Sequence, residues 1–160
     1  MAVVVTAAFW SPLFVSTSAH ATAEPLGVSR PRLTAAPMGG LSVVLATLSN
    51  KSNFPVILYR VTSSIAPAAM LHYDVNMCQK GNQMNLLPMV VLPAHRSLTL
   101  STQGVGAMLT KLRRPLRVGE TLTVSVTYAI NLRRATLSVP LTVVPAPKGL
   151  VTKPPKNAVG

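Results

Sequence analysis

The sequence predicts an all-β fold, an antiparallel β-sandwich, and three observations carry that prediction. Short runs rich in Val, Thr and Leu recur along the chain, separated by turn residues in the way of an all-β domain. Residues 120–130, ETLTVSVTYAI, alternate at period two. Leu122, Val124, Val126 and Tyr128 would line one face, with Thr121, Thr123, Ser125 and Thr127 on the other. No segment carries apolar residues at helical spacing, and there is no internal repeat.

Residues 1–23 read as an export signal. An apolar stretch at 2–16, interrupted by Pro12, is followed by small residues ending in Ala21-Thr22-Ala23, just before Glu24. That is an A-x-A-like cleavage pattern. No Lys or Arg precedes the apolar run, which departs from the usual signal. The stretch is too short and too broken to span a bilayer. No other segment is apolar enough, so no membrane span is expected in the mature chain.

Residues 24–39 hold Pro25, Pro31, Pro37 and Gly39 and read as a linker or a poorly paired edge. The domain proper is expected at 40–144. Its strands are expected at 41–48, 56–62, 69–76, 83–87, 89–92, 96–101, 105–110, 120–130 and 134–143. Asn50-Lys51-Ser52-Asn53, Gln79-Lys80-Gly81-Asn82 and Asn131-Leu132-Arg133 supply turn chemistry between them. Residues 145–160 place Pro145, Pro147, Pro154 and Pro155 among lysines and read as a disordered tail.

Composition bounds the function. Fifteen Lys and Arg face three acids, Glu24, Asp74 and Glu120, for a net charge of +12. Such a balance attracts anionic partners without selecting among them, and a solvated surface is the plainer reading. No aromatic residues alternate with the basic groups, so the chain lacks a stacking platform for single-stranded nucleic acid, and no nucleic-acid partner is expected. Three acids and no Ser–His–acid arrangement give no basis for an enzyme. The single cysteine, Cys78, excludes an internal disulfide. It could be a free thiol, an intermolecular partner or a metal ligand.

His72, Met84 and Met108 are the candidate site. Imidazole and thioether are soft ligands, which favour copper(I) over cations that want carboxylate oxygen. The order of motifs around them resembles the periplasmic copper(A) chaperone (PCuAC) family over roughly residues 40–144. Asn50 to Pro55 resembles that family's "TN…P" turn, and 61–72, VTSSIAPAAMLH, its "VSSPAA…VELH" stretch. Val91-Leu92-Pro93-Ala94 resembles its "IPAG" turn. Leu112-Arg113-Arg114-Pro115-Leu116 with Val118-Gly119-Glu120 resembles its "LKRPLKEGD" segment.

The resemblance implies a cupredoxin-like sandwich and a metal signature H-x10-M-x21-H-x-M. Here 11 residues separate His72 from Met84, and 21 separate Met84 from position 106, which is Gly106. Met108 falls where the last methionine belongs. One histidine is therefore lost and one spacing is a residue long. The extra residue would turn one ligand away unless a bulge or a longer turn absorbs it. Cys78 and Met77 are further candidates to complete the site, and Met70 and Met89 read as core filler. On this reading Gly106→His should tighten copper(I) binding.

The resemblance implies a monomeric periplasmic chaperone that holds copper(I) in a shallow site. It would pass the ion to cytochrome c oxidase subunit II or a Sco-like protein. The alternative is a degenerate relative that has lost copper and acts as a basic interaction module through Arg113, Arg114, Arg117, Arg133 and Arg134.

Overall fold

The computed structural model describes residues 24–74 and 85–150. The expected signal segment, the stretch holding Met77, Cys78 and Met84, and the end of the tail lie outside them. The described residues form ten strands: β1 Leu26–Thr34, β2 Ser42–Asn50, β3 Val56–Thr62, β4 Ala68–Asp74 and β5 Asn85–Leu87, then β6 Val90–Leu92, β7 Ser97–Leu100, β8 Gly104–Thr110, β9 Thr121–Ile130 and β10 Arg133–Val144. No helix occurs among them.

The strands join in the order β5-β4-β8-β2-β1-β10-β9-β3-β6, with β7 also on β2. Every pairing is antiparallel except β1 with β10, where Arg32, Leu33 and Thr34 run parallel to Thr142, Val143 and Val144. The path folds over so that β3 packs against β4, giving a barrel-like sandwich as the sequence predicts. The core lies between the layers. Leu122, Val124, Val126 and Tyr128 of β9 meet Val44 and Leu48 of β2, Leu71 of β4 and Ala107 of β8. The threonine face of β9 is turned outward.

The linker expected at 24–39 is instead occupied by β1, which pairs with β2 on one side and β10 on the other. Pro31 lacks a ladder N–H, yet it falls inside a register shift between Ser29 and Arg32. Arg30 takes a φ of 51° there, so the ladder is already interrupted where the proline stands.

Asn50 ties one end of the sandwich together. It is 3% exposed. Its amide donates to the carbonyls of Phe54 (2.8 Å), Leu92 (3.0 Å) and Pro93 (3.1 Å), and its oxygen accepts from the Ser52 N–H (3.0 Å). The turn therefore specifies asparagine because it needs both a donor and an acceptor. Asn50→Ala should cost roughly 2–3 kcal/mol by stranding these groups, read as a lowered midpoint in urea unfolding.

At the opposite end, Leu112 and Leu116 plug the core and leave Arg114 to pair with Glu120 at 2.6 Å. The Arg114 guanidinium and the Arg117 N–H hold Glu120 below its usual carboxylate range. The contact is therefore complete at neutral pH and is lost as pH falls through that lowered pKa. The segment that resembles "LKRPLKEGD" is thus a structural closure.

Candidate metal centre

The ladder between β4 and β8 sets the site. His72 lies opposite Gly106, and Met70 lies opposite Met108. Residues opposite one another in a ladder share a face, with Cβ atoms about 5 Å apart. Residues two apart along a strand share it too. His72, Met70 and Met108 therefore stand on one face, with Val43 of β2 beside Met108. The alternate residues, Leu71 and Ala107, enter the core. The sequence placed His72 and Met108 together through family resemblance and assigned Met70 to the core. Its spacing of two from His72 was the signal that it shares the histidine's face.

Gly106 determines how His72 sits. A Cβ built at position 106 would stand 2.6 Å from both Cε1 and Nε2 of His72, and 2.7 Å from the Ser101 carbonyl oxygen. The imidazole therefore lies directly against the glycine, in space that any other residue would fill. His72 and Met108 are both fully buried, whereas Met70 is half-buried. The shallow site expected from the sequence is thus an enclosed one: the missing side chain at 106 lets the imidazole settle onto the strand.

The chain reaches Gly106 through a detour. β7 and β8 both pair with β2, Leu100 opposite Ala46 and Ala107 opposite Val44. The residues between them leave the ladder as a loop. The Ser101 N–H donates to the Val105 carbonyl at 3.2 Å, closing the loop's base. The Ser101 hydroxyl accepts from the Gln103 N–H at 3.2 Å and donates to the Gln103 carbonyl. This knot fixes the Ser101 carbonyl against Gly106.

Met84, Met77 and Cys78 lie outside the described residues. β5 begins next to Met84 and is in register with β4, Leu86 opposite His72 and Asn85 opposite Tyr73. Among the described residues no three His, Cys, Asp or Glu side chains gather. The donors that do gather are one imidazole and two thioethers. That soft, neutral set suits copper(I) and does not suit calcium or magnesium. His95, in the 93–96 turn, bonds Asn53 at 2.8 Å.

The five arginines considered as an interaction module do not form one surface. Arg113 reaches the Ser64 carbonyl at 3.2 Å and Arg114 is engaged with Glu120, both just before the start of β9. Arg133 and Arg134 follow its far end. Ten strand residues, about 33 Å, separate the two groups.

Solved structures share this fold. The copper(I) form of DR1885 from Deinococcus radiodurans is 30% identical, with 81% of this chain and 86% of that one covered and a TM-score of 0.59. The apo PCuAC domain from PmoF1 is 21% identical, with 77% and 96% covered and a TM-score of 0.61. The copper-bound PCuAC domain from PmoF2 is 14% identical, with 77% and 95% covered, also at 0.61. No curated protein matches the sequence. The fold is thus that of the PCuAC class. A family model described as putative lipoprotein LpqE-like matches residues 18–141, and the chain belongs to that LpqE-like family within the PCuAC proteins.

Proposed function

We propose that the protein is an exported copper(I)-binding chaperone, with copper as its cargo. The observation that carries this reading is the shared face of His72, Met108 and Met70 on adjoining strands. The relatives described as copper(I)- and copper-bound support it, and the lipoprotein description of the family supports export to the periplasm.

His72 and Met108 would bind the ion, with Met70 as a further thioether. Met84, the residue just before β5 in the sequence, would be the next ligand. The additional residue between His72 and Met84 would then be taken up by the turn. Cys78 or Met77 would replace the histidine that Gly106 lacks. Transfer would proceed by ligand exchange without redox chemistry. It would run toward a copper-poor acceptor with stronger ligands, in an oxidase assembly pathway through cytochrome c oxidase subunit II or a Sco-like thiol protein. Because His72 and Met108 are buried, exchange would require the site to open, and that opening would set its rate.

Copper(I) titration against a competing chelator tests this. Met108→Leu and Met84→Leu keep volume and remove sulfur. Each should weaken retention at least about tenfold, since losing a ligand costs no less than losing a ligand's supporting contact. Loss with Cys78→Ser would identify the thiol as the replacement ligand. A wild-type chain that holds no copper(I) would sink the chaperone reading.

A further inference from the structure

Apolar side chains project among arginines at the end of the sandwich that Asn50 ties together. Leu132, in the two-residue turn between β9 and β10, is 99% exposed. Phe54, in the turn between β2 and β3, is 50% exposed. Both line one open cleft of about 450 Å³ with Ile57, Tyr59 and Arg134. The Arg134 guanidinium sits 5.1 Å from the centre of the Tyr59 ring, which presents it beside the apolar groups. Arg133 is exposed next to Leu132, and Arg96, whose carbonyl accepts from the Asn50 N–H, is exposed at the same end. Two acids lie toward this end: Glu24, which accepts a hydrogen bond from Tyr128 at 3.2 Å, and Asp74, the last residue of β4.

The turn itself singles Leu132 out. Asn131 and Leu132 have φ values of 45° and 63°, the left-handed pair of a tight hairpin turn that favours Asn-Gly. A bulky side chain there is strained, and this one, almost wholly exposed, gains no burial in return. Strain retained where it adds nothing to the fold points to a role outside it.

We propose that this end is a membrane-contact surface. Leu132 and Phe54 enter the acyl boundary of an anionic bilayer, while Arg133, Arg134 and Arg96 meet the headgroup phosphates. The net charge of +12 supplies the complementarity, and anionic lipid attracts each basic residue near its surface. A fluid surface accepts a side chain that protrudes alone, whereas a protein partner would need a matching hole and a wider patch. Apolar insertion with flanking basic groups is the general pattern of interfacial binding.

Flotation of the processed, exported protein with vesicles of phosphatidylglycerol and phosphatidylcholine tests the proposal, with phosphatidylcholine alone as the control. Binding is expected to the anionic vesicles only. Leu132→Ser or Phe54→Ser should weaken it about tenfold. Arg133→Gln and Arg134→Gln should each weaken it about fivefold. The paired changes Arg113→Gln and Arg117→Gln, at the opposite end, should matter far less. Leu132→Gly should bind vesicles as poorly as Leu132→Ser while melting higher than wild type, which separates lost contact from lost fold. Absence of binding to anionic vesicles would overturn the proposal. So would equal losses at the two ends, or displacement from vesicles by soluble polyglutamate in the Leu132→Ser variant and the wild type alike, which would indicate charge alone.

Discussion

Gly106→His should destabilise the protein by about 1–3 kcal/mol, the usual range for overpacking a filled site, and should leave copper(I) binding no tighter. The sequence pattern suggests the opposite, because a histidine at 106 would restore the signature of the family. The structure shows why restoration fails. The new Cβ would overlap the His72 ring at 2.6 Å and the Ser101 carbonyl at 2.7 Å. The ring could rotate away only by leaving its buried position, and the carbonyl is held by the Ser101–Val105 and Ser101–Gln103 bonds. An imidazole at 106 and the present placement of His72 exclude each other. Urea unfolding reads the cost and chelator competition reads the affinity. A variant as stable as wild type that bound copper(I) more tightly would show that the loop yields, contrary to this argument.

Met108→Ala should cost about 2–5 kcal/mol, as for other fully buried large-to-small changes. Met108 has no exposed surface and is walled by Val43 and Met70 along the ladders. Loss of copper(I) in that variant would therefore say little about ligation, since the site itself would be loosened. Met108→Leu should cost under about 1.5 kcal/mol and still remove the sulfur. The pair separates the two roles of the residue. Both variants should fail to hold copper(I), and only the alanine should unfold early. If the leucine variant kept full affinity, Met108 would be packing alone and the thioether of Met70 would carry the site.

The strands were legible where side chains alternate or where β-branched runs meet turn residues. β9 is the clearest case, since its inward set and outward set are each chemically uniform. β1 was hidden because three prolines argue against pairing, and only the register shift at Arg30 and Pro31 makes room for one of them. On the candidate face, the resemblance pointed to His72 and Met108, and spacing alone would have added Met70. What no pattern conveys is volume. Gly106 reads as an absent ligand, and in space it is the seat of the histidine that remains. The burial of the site and the lock on Ser101 depend on contacts between segments that are far apart in sequence. Likewise, the five arginines taken together as one module stand at two ends of the fold.

The parallel pairing of β1 with β10 has a consequence for biogenesis. Arg32 finds its partner at Thr142, so the sheet stays open until the last strand has been synthesised. Contacts between such distant segments form slowly because a long loop must close first. A chain built this way stays threadable while it is being made, and it locks only when its two ends meet. Shortening the tail into β10 would leave β1 with β2 alone and the core open along one seam. Completion of the fold is therefore tied to the arrival of β10, and every earlier pairing forms on a sheet that is still in two pieces.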